Sequence, residues 1–139
     1  MVILGIDPGT ATTGIGVIQV IGNQFKPIVY GIISTPAHVP MEQRLVSIYD
    51  QLQELLDMYK PDHVAIEKLY FNTNITTGIT VGQARGVLLL GCAQRNLEIY
   101  EYTPLEVKQA LVGYGRAEKK TNSAYGKNIF RIKRYSEAG

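Results

Sequence analysis

Apolar and polar positions recur along this chain with two different periods, and the switches between them mark out the elements. Val2-Ile3-Leu4-Gly5-Ile6 is a short apolar run halted by Asp7-Pro8-Gly9. That is the pattern of a buried strand feeding a tight turn, and it leaves Asp7 at the strand's end. Two β-rich stretches, Thr13 to Ile21 and Lys26 to Ile33, flank Gly22-Asn23, a dipeptide suited to a hairpin turn. Beyond them Leu45, Ile48, Tyr49, Leu52, Leu55, Leu56 and Tyr59 follow the i, i+3, i+4, i+7 rule, which predicts an amphipathic helix ended by Pro61. His63-Val64-Ala65-Ile66-Glu67 reads as a second buried strand, again with a carboxylate at its far end. A second helix over about residues 80–95, a strand over 97–102 and a short third helix opened by Pro104 complete the series.

The order β-β-β-α-β-α-β-α predicts an α/β fold, a mixed sheet with a hairpin edge and helices on both faces. Function in such sheets lies beyond the strand ends. If the first and fourth strands are neighbours, Asp7 and Glu67 share one rim.

A length of 139 residues, with 45% hydrophobic and 19% charged positions, suits one core of ordinary size. No apolar run approaches the roughly 20 residues of a spanning helix, and the start lacks the order of a signal peptide. A cytoplasmic protein is expected. Cys92 is alone, which removes a disulfide framework and a zinc pattern from consideration. The net charge of +2 hides an asymmetry: residues 1–115 hold seven Lys/Arg against ten Asp/Glu, and residues 116–139 hold seven against two. A basic end meets phosphate through counterion release, but solvated tails of no specific role have the same composition.

The two carboxylates matter more. An unpaired carboxylate at the end of a buried strand costs several kcal/mol, so something should compensate it. A helix cap for Asp7, or an ion pair with Lys68 or a distant Arg, is one solution. A hard divalent cation held by both carboxylates is the other. Magnesium takes few protein oxygens and leaves the rest of its shell to water and substrate phosphate.

Gly5-Ile6-Asp7-Pro8-Gly9-Thr10, followed by Thr13-Gly14-Ile15-Gly16, resembles the opening motif of the RuvC family of Holliday junction resolvases. Ala65-Ile66-Glu67 resembles the family's second acidic strand, and Gly82-Gln83-Ala84-Arg85-Gly86 its second helix. Val107-Lys108-Gln109 with residues 113–119 is similar to its third helix and following loop. The resemblance runs from Met1 to about Lys120 and implies a ribonuclease-H-like nuclease domain over residues 1–120.

It also implies a magnesium-dependent crossover junction endodeoxyribonuclease that nicks four-way DNA junctions in recombination and repair. Asp7 and Glu67 would then be its catalytic metal ligands. Tyr70 matches an aromatic position near the scissile site, with Phe71 beside it as a second stacking candidate or a core aromatic, while Lys108 and Lys119 match phosphate-contacting positions. A homodimer is implied, with Gly78, Gly82 and Gly86 in its surface, and a branch-migration helicase complex as a further partner.

Family members end in a helix that supplies further acidic ligands. Residues 121–139 form instead a divergent basic segment whose one carboxylate is Glu137. The final helix is therefore expected to be missing or altered, the chain truncated or frame-shifted, with catalysis and stability both lowered. A cleavage-deficient, structure-selective DNA-binding remnant is the alternative function. Actin-like kinases also combine Asp, Gly and Thr in a phosphate loop, but they need a second nucleotide-binding domain for which this chain is too short.

Overall fold

A computed structural model describes residues 1–69 and 75–103. Its elements are β1 (Val2–Asp7), β2 (Thr12–Ile21), β3 (Gln24–Ser34), α1 (Met41–Tyr59), β4 (His63–Glu67), α2 (Ile75–Ala93) and β5 (Glu98–Tyr102). The five strands form one sheet in the order β3-β2-β1-β4-β5. β1, β2 and β3 pair antiparallel, while β1, β4 and β5 run parallel to one another. The hairpin turn between β2 and β3 uses Gly22 at φ 61°, a conformation that glycine adopts without a Cβ penalty. The parallel pairs need long crossovers, and α1 and α2 supply them.

Alternation along the strands decides which face is dry. Leu4 and Ile6 of β1, Ile15 and Val17 of β2, Val29 and Ile33 of β3, and Val64 and Ile66 of β4 are all buried. They form one cluster with Ile48, Leu52, Leu55 and Leu56 of α1 and with Ala84, Leu88 and Cys92 of α2. Both described helices therefore cover the same face of the sheet. The third predicted helix, from Pro104, lies outside the described residues. Burial of Cys92 pushes its thiol up to about 11, as expected of a sulfur packed among apolar side chains.

The helices meet at a glycine. A Cβ on Gly91 would stand 2.7 Å from Leu52 Cδ2, so the missing side chain leaves the room that Leu52 fills where α1 and α2 meet. The contact is latched at its end: the Tyr49 hydroxyl donates to Gln94 Oε1 at 2.5 Å, and Arg95 reaches Gln53 Oε1 at 2.8 Å and Asp57 at 2.7 Å. α1 stops where Lys60 turns into the left-handed region at φ 46°, its N–H donating to the Leu56 carbonyl at 3.0 Å, one residue before Pro61.

Both ends of α2 differ from the sequence expectation. α2 begins at Ile75, five residues before the expected start, and closes at Ala93 because Asn96, at φ 58°, turns the chain away. The early start was hidden because Ile75, Thr76, Thr77 and Gly78 are all poor intrinsic helix formers.

Candidate active site at the rim of the central strands

β1 and β4 are neighbours, in register from Ile3 with His63 to Ile6 with Ile66. One step further along both strands stand Asp7 and Glu67. Adjacent strands lie about 4.8 Å apart, so the two residues share one rim. Strand alternation puts both on the face opposite Ile6 and Ile66, away from the helices. Asp7 is exposed and Glu67 half-buried. Asp7 makes no ion pair with any described residue, and it ends a strand that leads into another strand, so neither the helix-cap nor the ion-pair explanation applies to it among the described residues.

The turn that carries Asp7 is tied down on several sides. The Thr13 hydroxyl donates to the Gly9 carbonyl at 2.9 Å, and the Gly9 N–H donates to the Thr13 hydroxyl oxygen at 3.3 Å. From the far end of β3, Thr35 donates its hydroxyl to the Thr10 carbonyl at 2.7 Å and its N–H to the Ala11 carbonyl at 3.0 Å. Arg44 of α1 donates in turn to the Thr35 hydroxyl at 3.1 Å.

Gly9 is required by space: a Cβ there would stand 2.1 Å from the Thr12 carbonyl oxygen. Gly9→Ala is expected to cost about 1–3 kcal/mol, because the obstacle is backbone and cannot swing aside. A thermal melt of the variant checks this, and a midpoint equal to that of the parent would show that the turn relaxes freely.

Glu67 is held from behind. Arg85 of α2 donates its Nε–H to the Glu67 carbonyl at 3.2 Å. The same guanidinium bonds the Glu101 carboxylate of β5, and that hydrogen bond holds the Glu101 carboxyl below the usual carboxylate range. On the next strand Tyr102 pairs with Glu67, and the Lys68 N–H donates to the Tyr102 carbonyl at 2.7 Å.

The donors gathered at the rim are oxygens. Gly14, opposite Asp7 in the register, leaves the carboxylate open; even a Cβ there would stand 3.9 Å from Oδ2. The exposed Asp7 carboxylate and the half-buried Glu67 at one rim are oxygen donors of the kind that suits a hard divalent cation, whose other positions go to water and phosphate. No cluster of three or more His, Cys, Asp or Glu side chains suited to a metal occurs among the described residues.

Of the sequence candidates, Asp7 and Glu67 are therefore brought together, while Tyr70, Phe71, Lys108 and Lys119 lie outside the described residues. The glycines of α2 divide. Gly78 is buried, a Cβ on Gly82 would meet Leu69 of the same chain at 3.3 Å, and Gly86 faces open space. Arg85 and Glu101 escaped the sequence reading. One signal was available: Arg85 is the single charged residue in the 19 of α2, and a lone cation in an apolar helix needs a partner.

Comparison with known proteins extends the likeness across the chain. The family model described as crossover junction endodeoxyribonuclease RuvC matches residues 3–138. The RuvC of Heliobacterium modesticaldum is 56% identical over 119 residues, covering 86% of this chain and 74% of that protein. The RuvC of Brevibacillus brevis is 50% identical over 133 residues, covering 96% of this chain and 80% of the other. Among solved structures, that of Thermus thermophilus RuvC in complex with a Holliday junction substrate is similar with a TM-score of 0.71 at 31% identity, over 80% of this chain and 69% of that one.

Proposed function

We propose a junction-cleaving mechanism from one premise: this chain belongs to the RuvC family of crossover junction endodeoxyribonucleases. Its activity is that of a metal-dependent endodeoxyribonuclease acting on branched DNA in recombination, and the fold is the ribonuclease-H-like one of its structural relatives. The observation that carries the mechanism is the register of β1 against β4, which sets Asp7 beside Glu67 at an open rim.

Asp7 and Glu67 are the residues that would hold magnesium. When bound, that ion supplies positive charge that polarises the phosphodiester and eases deprotonation of the attacking water. Asp7 gives the exposed oxygen, on a turn fixed by Thr13 and Thr35. Glu67 gives the half-buried one, on a strand end fixed from α2 and β5. The bare strip at Gly14 keeps side chains out of the space a phosphate must enter. Tyr70, Phe71, Lys108 and Lys119 are assigned the DNA contacts by resemblance, aromatics for stacking and lysines for phosphate.

The test is a synthetic four-way junction incubated with the protein and magnesium, binding followed by gel shift and cleavage on a denaturing gel. Paired nicks that require magnesium support the mechanism. Binding without cleavage supports the second reading, a structure-selective binder.

Two symmetric nicks call for two copies of the chain. The outer side of the helices suits that: Ile79 and Leu90 of α2 and Val46 of α1 are exposed, Gly86 faces open space, and Leu45, Val46, Tyr49, Val87 and Leu90 line an apolar groove. Exposed apolar surface between helices supports that reading. Sedimentation at micromolar concentration is expected to give a dimer that Leu90→Asp converts to monomer; a wild-type chain that sediments only as monomer would remove the dimer. The described residues hold no helix long and apolar enough to cross a membrane.

A further inference from the structure

We infer that Arg85 and Glu101 act together as a positioning pair for Glu67, fixing the strand end that carries its carboxylate and cancelling the guanidinium charge behind it. The inference rests on reading Asp7 and Glu67 as the metal-holding pair.

Arg85 reaches the rim from the helix side of the sheet. Its side chain is only 15% exposed, so water does not satisfy its donors as it would on an open surface. One donor goes to the Glu67 carbonyl at 3.2 Å, and another to the Glu101 carboxylate. The fork therefore spans two neighbouring strands, since Glu101 pairs with Ile66, the residue before Glu67. A guanidinium can do this because its N–H groups are fixed in one plane; a lysine ammonium is a single point of charge and cannot hold both acceptors in one geometry. The peptide leaving Glu67 is thereby anchored. Holding that carbonyl restricts the direction of the Glu67 Cα–Cβ bond, so less of the strand end has to reorganise when the carboxylate meets a cation.

Charge gives the second half of the argument. A bare guanidinium this close to the rim would repel a divalent cation. Glu101 stands against it and is itself partly open to solvent, 45% by side chain. The pair contributes rigidity with no net charge. Partners that orient metal ligands in this way affect metal affinity or activity by roughly 10–100-fold when removed.

The experiment measures binding of manganese, used as a paramagnetic stand-in for magnesium, to the full-length chain without DNA, by the loss of the free-ion electron paramagnetic resonance signal. Magnesium dependence of junction cleavage is measured alongside. Arg85→Lys is expected to weaken manganese binding about tenfold or more and to raise the half-saturating magnesium concentration in parallel. Glu101→Gln is expected to shift both in the same direction, about threefold or more, as a guanidinium left without its counter-charge repels the ion. Glu101 is exposed, so this variant reports even if changes at Arg85 unfold the chain.

In the double variant Arg85→Gln/Glu101→Gln, binding should be no weaker than in Arg85→Gln alone. Wild-type manganese affinity in both Arg85→Lys and Glu101→Gln overturns the inference. Asp7→Asn separates the two failures: if it abolishes manganese binding while the other variants bind normally, only the positioning pair falls, and if it too binds normally, the metal-holding reading falls with it.

Discussion

Asp7→Asn and Glu67→Gln should each reduce cleavage of a four-way junction by about a thousandfold while leaving its binding in place. Each substitution keeps the shape of the side chain and removes one negative oxygen donor. Charge stabilisation by a metal is worth several kcal/mol in the transition state, and each 1.36 kcal/mol is a factor of ten in rate. Neither change should cost the fold anything measurable, because Asp7 is exposed and Glu67 lies at a strand end rather than inside the core. A cation that binds only the folded chain raises its melting midpoint. Magnesium is therefore expected to raise the midpoint of the wild type and not that of Asp7→Asn. Cleavage within tenfold of wild type in both variants would show that the chemistry lies elsewhere.

The largest effect on stability is expected at the crossing of the helices. Leu52 is fully buried, and its Cδ2 occupies the space that a Cβ on Gly91 would need. Leu52→Ala removes that methyl where the neighbouring element is helix backbone, which cannot follow the retreating side chain. The loss is expected near the upper part of the 2–5 kcal/mol range for buried leucines, a large fraction of the roughly 5–15 kcal/mol that holds a domain of this size. Urea unfolding measures it: the midpoint should fall with the slope unchanged. A change below about 1 kcal/mol would mean that α1 and α2 slide together and refill the gap.

The central sheet and its rim were legible in the chain because they follow short-range rules. Each carboxylate closes an uninterrupted apolar run, and strand alternation then dictates its face once the core face is known. The hairpin at Gly22 and the stop at Pro61 were equally local. The start of α2 was not, since Ile75 to Gly78 favour other conformations and only packing of the helix as a whole overrides them. The tie from Arg85 to Glu67 and Glu101 was invisible for a different reason: it joins three elements, Arg85 standing 18 positions from Glu67 and 16 from Glu101, and no periodicity encodes such a contact. The spacing of Gly78, Gly82 and Gly86 shows the limit from the other side. One repeat every four residues suggests one role, yet Gly82 faces Leu69 of its own chain and Gly86 faces open space.

β1 is paired on both sides, antiparallel with β2 from Val2 to Asp7 and parallel with β4 from Ile3 to Ile6. A residue at the end of such a strand cannot move far unless two ladders part, and ladders in the middle of a sheet open only when the whole domain does. The spacing between Asp7 and Glu67 is thus set mainly by the cooperativity of the sheet, with the tied turn after β1 adding to it. If Asp7 and Glu67 hold a metal as proposed, the pair has no separate disordered state to visit, and an ion bound there selects for the complete fold over every partly opened form.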